Sequence, residues 1–266
     1  MTSKDGTRIY ARQDGAADRD APVVVFANAL GTTLEVWDPM LAHVPEGLRI
    51  VRFDNRGHGR SDVPEGPYSM GAMISDAEAV CDAFDVKDCV FVGLSVGGMI
   101  AQGLAVKRLD LVRALVLSNT AAKIGNAKMW QDRMDLVRSK GMALAADDIL
   151  ARWFGHKFLA GPDVAQWRDM LSNCSVEGYS GVCAAIAGTD FYTPTSGLRL
   201  PTLGFSGPED RSTPPDLVRE TLGLIPGSEF KLIRGTGHLP CVERPEEVAA
   251  ELTAFLGRIG HLGPPD

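Results

Sequence analysis

Gly93-Leu94-Ser95-Val96-Gly97 is the stretch on which the reading of this chain turns. It follows Cys89-Val90-Phe91-Val92, an apolar run with the composition of a buried strand. It precedes residues 99–104, whose composition favours a helix. A strand that passes into a helix through so few residues must turn sharply, and the two glycines stand where side chains would clash. A serine at the apex of that turn is held in strained backbone and stands proud at the carboxyl edge of a sheet. The five-residue pattern is weak alone. Its place between strand and helix selects a nucleophile over a plain serine in a glycine-rich turn.

Working outward, Val23-Val24-Val25-Phe26 and Arg49-Ile50-Val51-Arg52-Phe53 read as strands. Between Phe53 and Cys89, Met73, Ala77, Val80 and Phe84 share one helical face. Residues 112–117 form a further strand, ending at Ser118-Asn119-Thr120. This rhythm predicts an α/β fold with a mostly parallel sheet and helices on both faces. It breaks over residues 121–195, where 129–139, 143–154 and 164–171 carry helical patterns and no run reads as a strand. It resumes at 201–205 and 230–233, and a closing helix spans 245–256. The expected organisation is a core domain of residues 1–120 and 196–266 with a helical cap of residues 121–195. The tail from His261 to Asp266 reads as unstructured.

The chain has 266 residues, 45% hydrophobic and 23% charged, which suits a globular protein with a sizeable core. A net charge of −7 with no basic run longer than a pair argues against nucleic acid and anionic membrane as partners. Cys81, Cys89, Cys174, Cys183 and Cys241 form no C-x-x-C pair and no zinc-spaced cluster, so reduced thiols and no metal are expected. Residues 1–21 are polar without the apolar stretch of a signal peptide, and the longest apolar runs are strand-sized. The expectation is a cytoplasmic protein.

A serine hydroxyl needs a base within hydrogen-bond reach. Of His43, His58, His156, His238 and His261, only His238 lies in a glycine-flanked loop between the last strand and the last helix, where the order nucleophile, acid, histidine requires it. The acid should follow the strand before it. Ser206-Gly207-Pro208-Glu209-Asp210-Arg211 does so, with Glu209 and Asp210 both open. Two backbone N–H groups should face the developing oxyanion. One belongs to Val96; loop position assigns the other to Leu30, in Asn28-Ala29-Leu30-Gly31. His58, in Asp54-Asn55-Arg56-Gly57-His58-Gly59-Arg60-Ser61, reads as structural because the triad already has its base. Cys241 reads as a small buried residue. No phosphate-binding glycine motif follows a strand.

Together, Asp54–Ser61, Gly93–Gly98, Gly207–Pro214 and Gly237-His238 resemble the α/β-hydrolase superfamily over nearly the whole chain. Asn28-Ala29-Leu30-Gly31-Thr32 with Trp37-Asp38-Pro39 resembles the 3-oxoadipate enol-lactonases within it, as does residues 98–105. So do residues 117–125, Trp130 with Arg133, Arg152-Trp153-Phe154, Glu177-Gly178-Tyr179 and residues 183–186. The resemblance implies Asp210 as the acid and hydrolysis of 3-oxoadipate enol-lactone to 3-oxoadipate without a cofactor. Ala29 departs from it, standing where many members carry serine; only backbone should act there.

A substrate of that kind is a small anionic lactone, and its carboxylate needs a cation or strong donor. Trp130 and Arg133, three residues apart on one helix face, are the expected wall and carboxylate partner, with Arg152, Lys123 and Lys128 next in line. A general carboxylesterase, another lactonase, a perhydrolase and a receptor of the same fold are the rival readings. Haloalkane chemistry would need a carboxylate at position 95.

Overall fold

The computed structural model describes residues 1–262; positions 263–266 of the tail lie outside the described residues. Seven strands, β1 (Ala11–Gly15), β2 (Val23–Ala27), β3 (Arg49–Phe53), β4 (Cys89–Leu94), β5 (Val112–Ser118), β6 (Thr202–Ser206) and β7 (Glu229–Leu232), form one sheet in the order β1-β3-β2-β4-β5-β6-β7. Only β1 runs antiparallel, against β3. Every residue of β2, β3, β4 and β6 is buried, so helices cover both faces, as continuous Val-rich runs require.

The edge strand β1 gave no periodic signal, because its sequence Ala-Arg-Gln-Asp-Gly is polar and partly exposed. It is held through its partner: Asp14 pairs with the buried Arg52 at 2.8 Å, and Gln13 Oε1 accepts from buried Arg49 at 3.1 and 3.2 Å. Each arginine of β3 thus places part of its guanidinium on β1 and the rest elsewhere, Arg49 on Phe84 O at 2.7 Å and Arg52 on Leu34 O at 3.0 Å.

The helices are α1 (Asp38–Leu41), α2 (Met70–Ala83), α3 (Val96–Lys107), α4 (Ala127–Lys140), α5 (Met142–Trp153), α6 (His156–Leu159), α7 (Val164–Ser172), α8 (Val176–Ala187), α9 (Tyr192–Ser196), α10 (Pro215–Gly223), α11 (Pro240–Glu243) and α12 (Pro245–Arg258). Side-chain caps start several of them. Ser69 accepts from Ala72 N, Asn126 from Met129 N and Ser175 from Gly178 N. Between β5 and β6 the chain forms six helices and no strand among the described residues, with α4 packed on α8 and α5 on α7. No helix among the described residues is long and apolar enough to cross a membrane.

Helix α8 was not expected, since Gly178 and Gly181 depress helix propensity. Packing explains them. A Cβ at Gly178 would lie 2.0 Å from Gly57 O, and one at Gly181 would lie 2.6 Å from the Tyr68 ring. The tail expectation is corrected at His261. That residue is buried and its Nε2–H donates to Val23 O at 3.0 Å, so the chain beyond α12 returns to the amino end of β2. One histidine contact leaves no periodic trace in a short sequence.

Candidate active site

The sheet order reverses at β2: the chain goes from it to β3 on one side and β4 lies on the other. The crevice at the carboxyl ends of β2 and β4 is where such sheets hold ligands. Ser95 stands between β4 and α3 with φ 57° and ψ −118°, outside the regions a serine prefers. The turn is closed by Ser95 N–H to Ser118 O at 3.0 Å, Gly98 N–H to Ser95 O at 2.9 Å and Thr120 Oγ1–H to Ser95 O at 2.6 Å. A Cβ at Gly93 would meet Gly97 O at 2.3 Å, and one at Gly97 would meet Ala27 O at 2.1 Å. The glycines are therefore set by contact between backbones.

His238 Nδ1 lies 2.8 Å from Asp210 Oδ2, both groups being almost wholly buried. That bond fixes the proton on Nδ1 and leaves Nε2 as the free ring nitrogen; His238 and Ser95 line the same cleft. Asp210 Oδ2 also accepts from Asn119 Nδ2 at 2.9 Å and Thr213 Oγ1 at 2.8 Å, while Oδ1 accepts from Ser212 N and Thr213 N at 2.7 and 3.0 Å. Burial pulls this carboxyl up, but the His238 charge and the surrounding donors more than reverse it and hold it below the usual carboxylate value. Glu209 points elsewhere: its Oε2 accepts from His156 N at 2.9 Å and meets His156 Nδ1 at 2.5 Å.

Leu30 lines the cleft beside Ser95, and Val96 is the first residue of α3. Among the described residues no acceptor takes the N–H of either. The helix terminus adds its own partial positive charge. The Leu30 loop is pinned from several directions. Asn28 Nδ2 donates to Phe53 O at 2.8 Å, Asn28 Oδ1 accepts from Trp37 Nε1 at 2.8 Å, and Gly31 N–H donates to His58 Nε2 at 2.9 Å.

The cleft is walled by Trp130, Arg133, Arg152, Trp153 and Tyr179 from the helical segment. Arg133 Nη1 donates to Tyr179 OH at 3.4 Å and Arg152 Nη2 to Arg211 O at 3.2 Å. Neither guanidinium pairs with a carboxylate among the described residues. Burial and the Arg133 charge both push the Arg152 pKa down. Lys123 and Lys128 are paired outside the cleft, with Asp190 at 3.0 Å and Asp132 at 2.6 Å. Cys241 is buried with its thiol pKa raised by desolvation, and it does not line the cleft.

The alpha/beta hydrolase family model matches residues 24–251. This chain belongs to the alpha/beta hydrolase family. It is 31% identical to 3-oxoadipate enol-lactonase 2 of Acinetobacter baylyi, over 97% of this chain and 96% of that protein. The crystal structure of the enol-lactonase from Burkholderia xenovorans LB400 superimposes with a TM-score of 0.91 at 33% identity, covering 95% of this chain and 98% of that one. A non-heme chloroperoxidase of Streptomyces lividans is 26% identical over 96% and 98% of the two chains.

Two features of this hydrolase's site were not read from the sequence. Asn119, with φ 46°, bonds both Asp210 and Gly237 O and so ties the acid loop to the histidine loop. Its only sequence signal is an Asx residue at a strand end, a common turn feature. The other is the bond from Gly31 to His58, which joins residues 27 positions apart. His58 Nδ1–H donates to Arg56 O at 3.2 Å, and Nε2 accepts from the loop that carries Leu30. Burial lowers its pKa from 6.5 to about 4, so the ring is neutral at working pH.

That shift has a sign. A depressed histidine binds fewer protons folded than unfolded between pH 6.5 and about 4, so this group removes stability as pH falls through that window. His58→Gln should therefore show a shallower fall of Tm between pH 6.5 and 4 than the wild type, with a lower Tm at pH 7. Turnover of its folded fraction at pH 7 should fall less than tenfold, since a loop is loosened and no proton carrier is lost. Parallel Tm curves for the two proteins, or a rate collapse without loss of Tm, would contradict the structural assignment.

Proposed function

We propose that this hydrolase opens a small carboxylate-bearing enol-lactone, 3-oxoadipate enol-lactone, to 3-oxoadipate through an acyl-enzyme, acting in the cytoplasm. The observation that carries the reading is two arginines without carboxylate partners, Arg133 and Arg152, in the cleft that Ser95 and His238 also line, within a protein of net charge −7. Two like charges left facing one cavity are costly unless an anion joins them. The similarity to enol-lactonases supports the same substrate.

In this proposal Ser95 Oγ attacks the ring carbonyl as His238 Nε2 takes its proton, and Asp210 steadies the imidazolium. The N–H groups of Leu30 and Val96 hold the oxyanion. Collapse expels an enolate, a better leaving group than an alkoxide, which takes a proton from His238. Water, activated by the same imidazole, then attacks the acyl-enzyme carbonyl and frees Ser95. The chemistry needs neither metal nor cofactor. Residues 121–195 act as a cap, with Trp130 walling the ring and Arg133 binding the carboxylate arm through its planar fork.

The test compares kcat/KM for the free acid and a neutral ester of the same lactone, in wild type and Arg133→Ala. The acid should lose about tenfold or more and the ester little, the size of a charged hydrogen bond. Equal losses would move the contact to Arg152, to be tested by the same pair of substrates. Indifference of both variants to the substrate charge, with fast turnover of simple esters of equal size, would make the protein a general carboxylesterase.

A further inference from the structure

We propose that Glu243 is a positioning residue that clamps the His238 loop to the junction of α5 and α6, so that the base and the cleft wall keep one spacing. The proposal rests on His238 acting as the base. Glu243 ends α11, which begins two residues after His238. Its Oε1 accepts from Gly237 N at 2.7 Å and its Oε2 from Gly155 N at 2.9 Å. Gly237 directly precedes His238. Gly155 follows Trp153 and Phe154, and Trp153 O accepts from His238 N at 2.5 Å.

The three bonds form a closed unit. One runs directly between His238 and Trp153, and two run through the forked carboxylate. The chains approach so closely that a Cβ at Gly237 would lie 2.4 Å from Trp153 O and 2.9 Å from Gly155 N. Here the two N–H donors sit on different oxygens of the fork, and only a carboxylate offers an acceptor at both positions; an amide would turn its NH₂ against one donor. Burial, with Glu209 and Asp210 close by, pushes the Glu243 carboxyl up to about 7. Ionisation is thus costly at this place, and the two N–H bonds are what favour the charged form. Trp153 and Arg152 on α5 both line the cleft, so the unit sets the distance from the imidazole to the wall that faces the substrate.

The full-length protein is tested with p-nitrophenyl acetate as Glu243→Gln and, separately, His238→Ala. Glu243→Gln should lower kcat roughly tenfold or more through a misplaced base, with KM within about threefold. The low-field NMR resonance of the proton between His238 Nδ1 and Asp210 should shift or broaden. A part that was merely structural would lower Tm and leave kcat per folded molecule and that resonance unchanged; this result, with His238→Ala inactive, overturns the clamp alone. An active His238→Ala would overturn the base assignment and the clamp with it. Gly155→Pro guards against a Glu243→Gln that does not fold. Gly155 has φ −62° after an extended Phe154, backbone angles that proline accepts, and its ring would stand where the N–H meets Glu243 Oε2, so the change removes one N–H arm and pushes that oxygen away. The same direction of kcat loss supports the clamp, and wild-type kcat in a folded Gly155→Pro overturns it.

Discussion

Ser95→Ala should lower turnover of the lactone and of activated esters by roughly 10⁴-fold or more while leaving Tm within a few degrees of wild type. The hydroxyl is the only group lost, and no hydrogen bond among the described residues depends on it. Removing it also relieves nothing, because the strain of φ 57° belongs to the backbone. His238→Ala and Asp210→Asn should each fall steeply too, and the double variants should lose little more than the worst single one, since the three act as a unit. Asp210→Asn replaces an acceptor of five hydrogen bonds with a group that has one oxygen, so its Tm should drop as well. Glu209→Gln is the internal comparison. Should it prove slower than Asp210→Asn, the acid must be reassigned; should Ser95→Ala keep near-wild-type turnover, the nucleophile must be.

What the sequence made legible is what the chain does locally. The elbow is five residues whose glycines, strand and helix are adjacent, and the parallel strands announce themselves because both of their faces are buried. The position of His238 follows from chain order alone. Asp210 needed more: order left Glu209 beside it, and the choice came from a resemblance. In the structure it is His238 Nδ1 at 2.8 Å that separates them. The features that escaped are non-local or polar. Strand β1 has no apolar pattern because its ladder and the two arginines of β3 hold it. Helix α8 is rich in glycine because it rides on the backbone of the Asp54–Ser61 turn at Gly57. The bonds from Asn119, His58 and Glu243 each join loops that only the fold brings together. Periodicity records which face is buried, and none of these contacts is made by a face.

Gly97→Ala should cost this hydrolase about 3 kcal/mol or more, the upper range for forcing atoms into a packed interior. The added Cβ would lie 2.1 Å from Ala27 O and 2.6 Å from Ala27 C, atoms of central-strand backbone. Ala27 is paired with Gly93 in the parallel ladder of β2 and β4, so it cannot retreat without opening the sheet beside the elbow. For a chain of this size that corresponds to a fall in Tm of roughly 10 °C. The loss should extend to rate. Val96 N–H lies between Ser95 and the altered residue, and Leu30 follows Ala27 by three positions, so both donors to the oxyanion move when these strands part. A donor out of place costs on the order of 10²-fold in kcat. Gly257→Ala supplies the contrast: in α12 its Cβ would meet nothing within 4 Å, and alanine there should raise stability by up to about 1 kcal/mol through its helix propensity. Thermal melts and kcat of the folded fraction measure both. A Gly97→Ala protein with wild-type Tm and kcat would mean that the elbow and β2 are not in backbone contact, and the geometry that presents Ser95 would have to be redrawn.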